Sequence, residues 1–242
     1  MSVKQAADIK DLLKGREYVG RGIIMGQSEG GKSLCAAYFI SGRSANSRNR
    51  VFTMRDGVLF TEPFDASRVE DPSLILYPAV KRAGGALVVT NGDHTLNVCA
   101  AVERGEGLFE AQRERVFEPD APNFTPRISG VLPLSADGKA RYSLGIIKSG
   151  DGCGGCCERC EFDYEATAGL GHIICTYMHN GSPLPSFEGE PWRVKIPESA
   201  DEFADDIWNA LDPENRISLF VRYIDISTGK ENDIIINKNR VG

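Results

Sequence analysis

Apolar residues along the chain fall into short runs separated by Gly, Pro, Asn and Asp, a pattern that predicts strands joined by turns. The runs place strands over residues 18–25, 34–40, 51–54, 58–61, 86–90, 128–134, 142–148, 172–178, 217–226 and 233–236. Helical spacing is confined to a few stretches. Ala6, Ile9, Leu12 and Leu13, stopped by Gly15, predict a helix over 5–14, and further helices are expected over 95–103, 108–115 and 201–211. The last opens with Ser199, with Glu202 three residues on, the spacing of a capping box. Strands that arrive in pairs, with helices grouped between them, imply an α+β fold of mostly antiparallel sheets with helices outside, not a βαβ series. The Pro- and Gly-rich stretch 181–191 reads as a surface loop or lid, and residues 1–18 as an N-terminal extension to a single domain over 19–242.

Composition narrows the classes. The 242 residues are 41% apolar and 26% charged, values of a chain with an ordinary single core. A net charge of -6 argues against a nucleic-acid-binding surface. No long apolar run and no secretory h-region are present, so a cytoplasmic protein with no membrane partner is expected. Seven Cys, an odd number, fit reduced thiols better than a disulfide framework.

Two phosphate-binding patterns compete for residues 26–50. Gly26 to Ser33 matches GxxxxGK[ST], which would cradle ATP if a helix followed Ser33. The segment 34–40 is short and carries Tyr38-Phe39, so a hairpin turn is expected, with a P-loop ATPase or kinase as the alternative. Next, Arg43, Ser44, Asn49 and Arg50 supply planar bidentate donors and hydroxyl or amide groups suited to a nucleotide phosphate without a metal. Asn91, Gly92 and His94 lie at a strand-to-helix turn that could hold an anion or a base edge, with Asp93 or Thr95 as its N-cap. Glu118, Thr125 and Arg127 gather in a Pro-rich connection before a strand, as a pocket rim would. Cys153, Cys156, Cys157 and Cys160 are either a hairpin tip of reduced thiols or part of a Zn site, so a non-catalytic purine-nucleotide- or Zn-binding module stays as a second alternative. Ser2 as an N-terminal nucleophile is disfavoured, because the helix over 5–14 separates it from the first strand.

Taken together, SGRSANSRNR, the Tyr77 of LILYPA, VVTNGDHT and FEPDAPNFTPRI resemble the archaeal-type IMP cyclohydrolase family, closely over roughly residues 19 to 135 and more loosely through HIICTYMHNG. The resemblance implies a four-layered αββα sandwich like that of N-terminal nucleophile hydrolases, with the pocket between the sheets. It implies ring closure of 5-formamidoimidazole-4-carboxamide ribonucleotide (FAICAR) to IMP, with a purine nucleotide as the small-molecule partner and no cofactor or metal. Arg50, Tyr77 and Glu118 fall on the family's catalytic positions. Arg43, Ser44, Asn49, Asn91, Gly92, His94, Thr125 and Arg127 would hold the nucleotide. Homo-oligomerisation is left open.

Overall fold

The computed structural model describes residues 5–69, 76–134 and 140–239. In chain order its elements are α1 (Ile9–Leu13), β1 (Arg21–Gln27), β2 (Ser33–Ser41), α2 (Ala45–Arg48), β3 (Val51–Arg55), β4 (Val58–Glu62), β5 (Tyr77–Ala83), β6 (Ala86–Thr90), α3 (Thr95–Glu103), α4 (Leu108–Gln112), β7 (Arg127–Pro133), β8 (Arg141–Ser149), β9 (Cys157–Glu165), β10 (Leu170–Cys175), β11 (Trp192–Lys195), α5 (Ala200–Ala210), β12 (Arg216–Asp225) and β13 (Glu231–Asn237). One sheet has the order β11-β10-β1-β2-β12-β13 and the other β3-β4-β5-β6-β7-β8-β9. Every named ladder is antiparallel. α1 and α5 cover the outside of the first sheet, and α3 and α4 the outside of the second. The order of layers is therefore helix, sheet, sheet, helix.

The two sheets meet through alternate residues of each strand. Ile23 and Met25 of β1 point toward β7, where Gly130 leaves them room: a Cβ there would lie 2.5 Å from Met25 Cε. Tyr38 of β2 packs on Phe52 of β3 with ring centroids 5.4 Å apart. At the far end of the same interface His172 stacks on Tyr164 at 3.6 Å and shares a 2.7 Å hydrogen bond between its Nδ1 and the Tyr142 hydroxyl. A smaller cluster of Val88, Val98, Ala101 and Leu108 joins α3 and α4 to the outer face of the second sheet.

Several expected boundaries move. The strand expected over 18–25 begins at Arg21, the one over 172–178 ends at Cys175, and the helices over 5–14 and 108–115 shrink to α1 and α4. β5, β9 and β11 were not expected. β5 carries Pro78, Lys81 and Arg82, and β9 alternates charged with apolar residues, so neither shows an apolar run. The loop over 181–191 is only partly a surface loop, because Leu184 and Phe187 are buried. The N-terminal segment contributes Ile9 and Leu13 to the main core.

Gly26 to Ser33 forms the β1–β2 hairpin connection, as its short apolar flank predicts. Leu34 onward is strand, not helix. The Gly30 amide donates to Glu198 Oε2 at 2.7 Å, so an internal carboxylate already sits where a P-loop would place phosphate. The glycine at position 26 answers to packing: a Cβ there would be 2.5 Å from both Gly171 Cα and Leu170 O of the neighbouring strand. Backbone cannot move aside as a side chain can. Gly26→Ala should therefore lower stability by about 1–3 kcal/mol, read as a lower urea midpoint.

Candidate active site

Five buried or half-buried polar side chains converge at one end of the sheet interface. Arg21 opens β1 and shares the parity of Ile23 and Met25, so it points between the sheets. Tyr38 of the neighbouring strand β2 and Tyr77 at the start of β5, in the facing sheet, share a hydrogen bond of 3.0 Å between hydroxyls. Arg50 is buried immediately before β3. Glu118 comes from the connection into β7, whose shape is fixed by its own amide donating to Thr125 O at 2.9 Å.

The charges act on one another. Burial raises the Glu118 carboxyl above its ordinary value, against the opposing pull of Arg21, Arg127 and Arg50. Burial lowers Arg50, and the neighbouring Arg21 lowers it further. Burial works in the same direction on Arg21, but Glu118, Tyr77, Tyr18 and Tyr177 outweigh it and the guanidinium is held charged. The Tyr38 phenol is pushed up by burial and by Tyr77. Among the described residues, the buried Nε of Arg21 has no hydrogen-bond partner. Such a donor, in a site rich in positive charge, suits an anionic or strongly polar ligand.

A wall of contacts leads outward from this cluster. Thr125 binds Asp120 through its amide at 2.6 Å and shares a 2.7 Å hydrogen bond with the Tyr177 hydroxyl. Tyr177 stacks on Tyr18 at 5.9 Å, and the Arg43 guanidinium lies 4.9 Å over the Tyr18 ring. Arg43 Nη1 donates to Asn180 Oδ1 at 2.5 Å and to Gly181 O at 3.0 Å, joining the start of the 181–191 loop to the site. Leu184 from that loop packs against Tyr18 and Tyr177.

The remaining predicted residues brace backbone. Asn91 Oδ1 accepts from the Ile128 amide at 2.8 Å and its Nδ2 donates to Pro126 O at 2.9 Å, which uses both ends of the amide on β7. Ser44 caps α2 by accepting from the Ser47 amide, and Asn49 exchanges two hydrogen bonds with the backbone of Asp65. His94, rather than Asp93 or Thr95, is the N-cap residue of α3, and its side chain makes no capping bond. Arg127 Nη1 donates to Asp93 Oδ1 at 2.6 Å and faces His94 Nδ1 at 3.4 Å. That donor makes Nε2 the protonated nitrogen, which faces Ile128 O at 3.3 Å and Ser129 Oγ at 3.1 Å. Gly92 leaves room for the Arg127 guanidinium: a Cβ there would lie 2.9 Å from Arg127 Nη1, with Glu118 Oε1 in ordinary contact at 3.7 Å.

This arrangement gives a pH dependence of stability. Burial, reinforced by Arg127, lowers His94 to about 3 from 6.5. Burial and then Arg193 lower His172 to about 4. Both are neutral in the folded chain and take up protons more readily when unfolded. Their contribution is present above about pH 6.5 and is lost as the pH falls toward the folded values, by up to ~1.4 kcal/mol per pH unit for each group. Urea midpoints measured between about pH 7 and about pH 4.5 should fall, and His94→Gln should make the fall shallower.

Among the described residues no group of three or more His, Cys, Asp and Glu is arranged to hold a metal. β9 explains part of this, since Cys157 and Cys160 lie three apart on a strand and so point to opposite faces. Among the described residues no helix is long and apolar enough to cross a membrane.

Arg21, Arg50, Tyr38, Tyr77 and Glu118 thus form a cluster of interacting buried or half-buried polar and charged groups between two antiparallel sheets. The family model described as IMP cyclohydrolase-like protein matches residues 18–231, and the chain belongs to this family. It is 35% identical over 136 residues to the IMP cyclohydrolase of Halobacterium salinarum, covering 54% of this chain and 63% of that protein. It is 34% identical over 119 residues to the IMP cyclohydrolase of Methanothrix thermoacetophila, covering 48% and 57%, and 32% identical over 134 residues to that of Methanopyrus kandleri, covering 54% and 63%. The matched part of the chain thus spans less than two thirds of the length of each of these relatives.

Of the residues in this cluster and its wall, Arg21, Tyr38, Tyr18 and Tyr177 were not singled out by sequence reasoning. Arg21 carried a usable signal: it is the one charged residue among 18–25, in phase with the apolar Ile23 and Met25.

Proposed function

We propose that this chain is an IMP cyclohydrolase, closing the purine ring of FAICAR with loss of water. The observation that carries the reading is Glu118, a carboxyl lifted by burial yet ringed by Arg21, Arg50 and Arg127. Ring closure requires a base to take a proton from the carboxamide nitrogen as it attacks the formyl carbon. It also requires donors for the charge that grows on the formyl oxygen. Glu118 takes that proton and delivers it to the oxyanion, giving a carbinolamine hydroxyl; as the C–O bond breaks and the C=N bond forms, the formamido nitrogen gives up the second proton, so water leaves and the carboxylate is regenerated. Tyr77 donates to the formyl oxygen, while Arg50 and Arg21 stabilise its charge and hold the reacting groups in line. Thr125, Tyr177 and Tyr18 form the wall on which the base and ribose lie. Arg43, whose hydrogen bonds among the described residues go only to neutral groups, takes the phosphate at the entrance. Arg127, Asn91, Gly92, His94, Ser44 and Asn49 set the backbone around the nucleotide.

In this reading the enzyme is a hydrolase acting on C–N bonds in cyclic amidines, named for the reverse direction. It works in the cytoplasm on a free nucleotide, with 19–242 as the catalytic domain and the preceding segment lending Tyr18 to the site. The test is ring closure of FAICAR, followed by absorbance, in wild type and Tyr77→Phe. Loss of one donor to the formyl oxygen should lower kcat by about 10²-fold with a much smaller change in KM. Wild-type protein that is stabilised by IMP but never closes the ring would remove the catalytic claim. Stabilisation only by Mg-ATP would remove the nucleotide assignment as well.

A further inference from the structure

The β8–β9 hairpin carries four thiols that the site does not use. Its tip runs from Gly150 to Cys156 and is closed by the Gly150 amide donating to Cys156 O at 3.1 Å. Asp151 Oδ1 gathers the loop, accepting from the Cys153 amide at 2.9 Å and the Ser149 hydroxyl at 2.8 Å. Cys153 and Cys156 are both free and exposed, while Cys157 and Cys160 are half-buried on the strand that follows. Between the exposed pair stand only Gly154 and Gly155, with Gly154 at φ +81°. Neither intervening residue has a side chain, so the backbone there accepts conformations closed to other residues, while the Asp151 carboxylate holds the loop by accepting also from the Gly155 amide at 3.1 Å.

The tip is also in contact with the segment that bears Glu118. A Cβ at Gly154 would lie 2.6 Å from Phe124 Cε1, so the glycine backbone rests on that ring. Phe124 meets Phe117 edge-on at 5.6 Å. These two rings flank Glu118 and Thr125 in sequence, at the two ends of the connection closed by the Glu118 amide.

We propose that Cys153 and Cys156 form a dithiol–disulfide site, oxidised by a low-molecular-weight disulfide of the glutathione class, and that closing it loosens the Glu118–Thr125 connection. The Cys153 thiolate attacks one sulfur of the oxidant, forming a mixed disulfide and releasing one thiolate. The Cys156 thiolate then attacks the Cys153 sulfur and releases the second. Two protein thiols lose two protons and two electrons, and the oxidant's disulfide takes them up as two thiols. A disulfide fixes the separation of the Cys153 and Cys156 Cα atoms and so constrains the Gly154 backbone that rests on Phe124. The site is independent of the reaction proposed above.

The test uses oxidised glutathione on the whole chain, with mass analysis of the peptides. The expected result is loss of two hydrogens within the peptide containing Cys153 and Cys156, reversed by dithiothreitol. It should be retained in Cys157→Ser and absent in Cys153→Ser and Cys156→Ser, all three being checked for unchanged circular dichroism. Amide exchange at Glu118 should quicken about tenfold on oxidation. Survival of both thiols, a stable mixed disulfide, or a bond to Cys157 or Cys160 overturns the site. Disulfide formation with unaltered exchange at Glu118 overturns its link to the connection.

Discussion

Replacing Glu118 by Gln is expected to lower kcat for ring closure by about 10²–10⁴-fold, the usual contribution of a positioned general base. Gln keeps the shape of the side chain and its place beside Arg21 and Arg127, so KM should change much less than kcat. The pH profile supplies the sharper readout. Burial raises the Glu118 carboxyl above the ordinary Glu value of 4.5, and a base works only when ionised. Wild-type kcat/KM should therefore rise with pH through a pKa higher than that of an ordinary Glu. In Glu118→Gln this acidic limb should vanish from the residual rate, while Glu118→Asp should retain it at reduced rate. A Gln variant that preserves both the rate and the acidic limb would mean that another group takes the proton. The fold should survive the change, because Gln preserves the volume of the side chain and removes only its charge.

The sequence made the layers legible for a physical reason. Strands such as β2 and β12 are buried along nearly their whole length and read as continuous apolar runs. β9 presents Glu158, Cys160, Phe162 and Tyr164 to one face and Cys157, Arg159 and Glu161 to the other, so its exposed edge dilutes the signal. Within the site, residue type alone marked the Arg-rich segment after β2, yet it could not separate a guanidinium aimed inward from one tied up at the rim. Arg50 is buried next to Tyr38 and Tyr77, whereas Arg43 is exposed on Asn180. Asn91 and His94 show the converse case. Polar residues at a strand-to-helix turn look like ligand donors, but buried backbone amides and carbonyls of β7 need partners first, and these two side chains supply them. Arg21 escaped notice because one charge at the end of an apolar strand disturbs its average hydropathy little, and its phase with Ile23 and Met25 gains meaning only once the second sheet covers that face.

Arg21→Met is the substitution expected to reveal most about that packing. Met matches much of the side chain's length without charge, so the strand should keep its register, and the drop in kcat should be about 10²–10³-fold, as for loss of one preorganised donor to a developing oxyanion. The direction of its pH effect follows from the charges. Arg21 heads the groups that pull the Glu118 carboxyl down against burial. Removing it leaves desolvation less opposed, so the folded-state pKa of Glu118 must rise and the acidic limb of kcat/KM must move to higher pH. Arg50 should respond in the opposite sense to its present depression, since a neighbouring like charge that lowers it has gone. Arg21→Lys keeps the charge but not the planar fork, so it should restore much of the position of the acidic limb and little of the rate. A Met variant that loses activity while its acidic limb stays in place would show that Arg21 acts on substrate alone. A Met variant with neither change would place the working charge of this site on Arg50 instead.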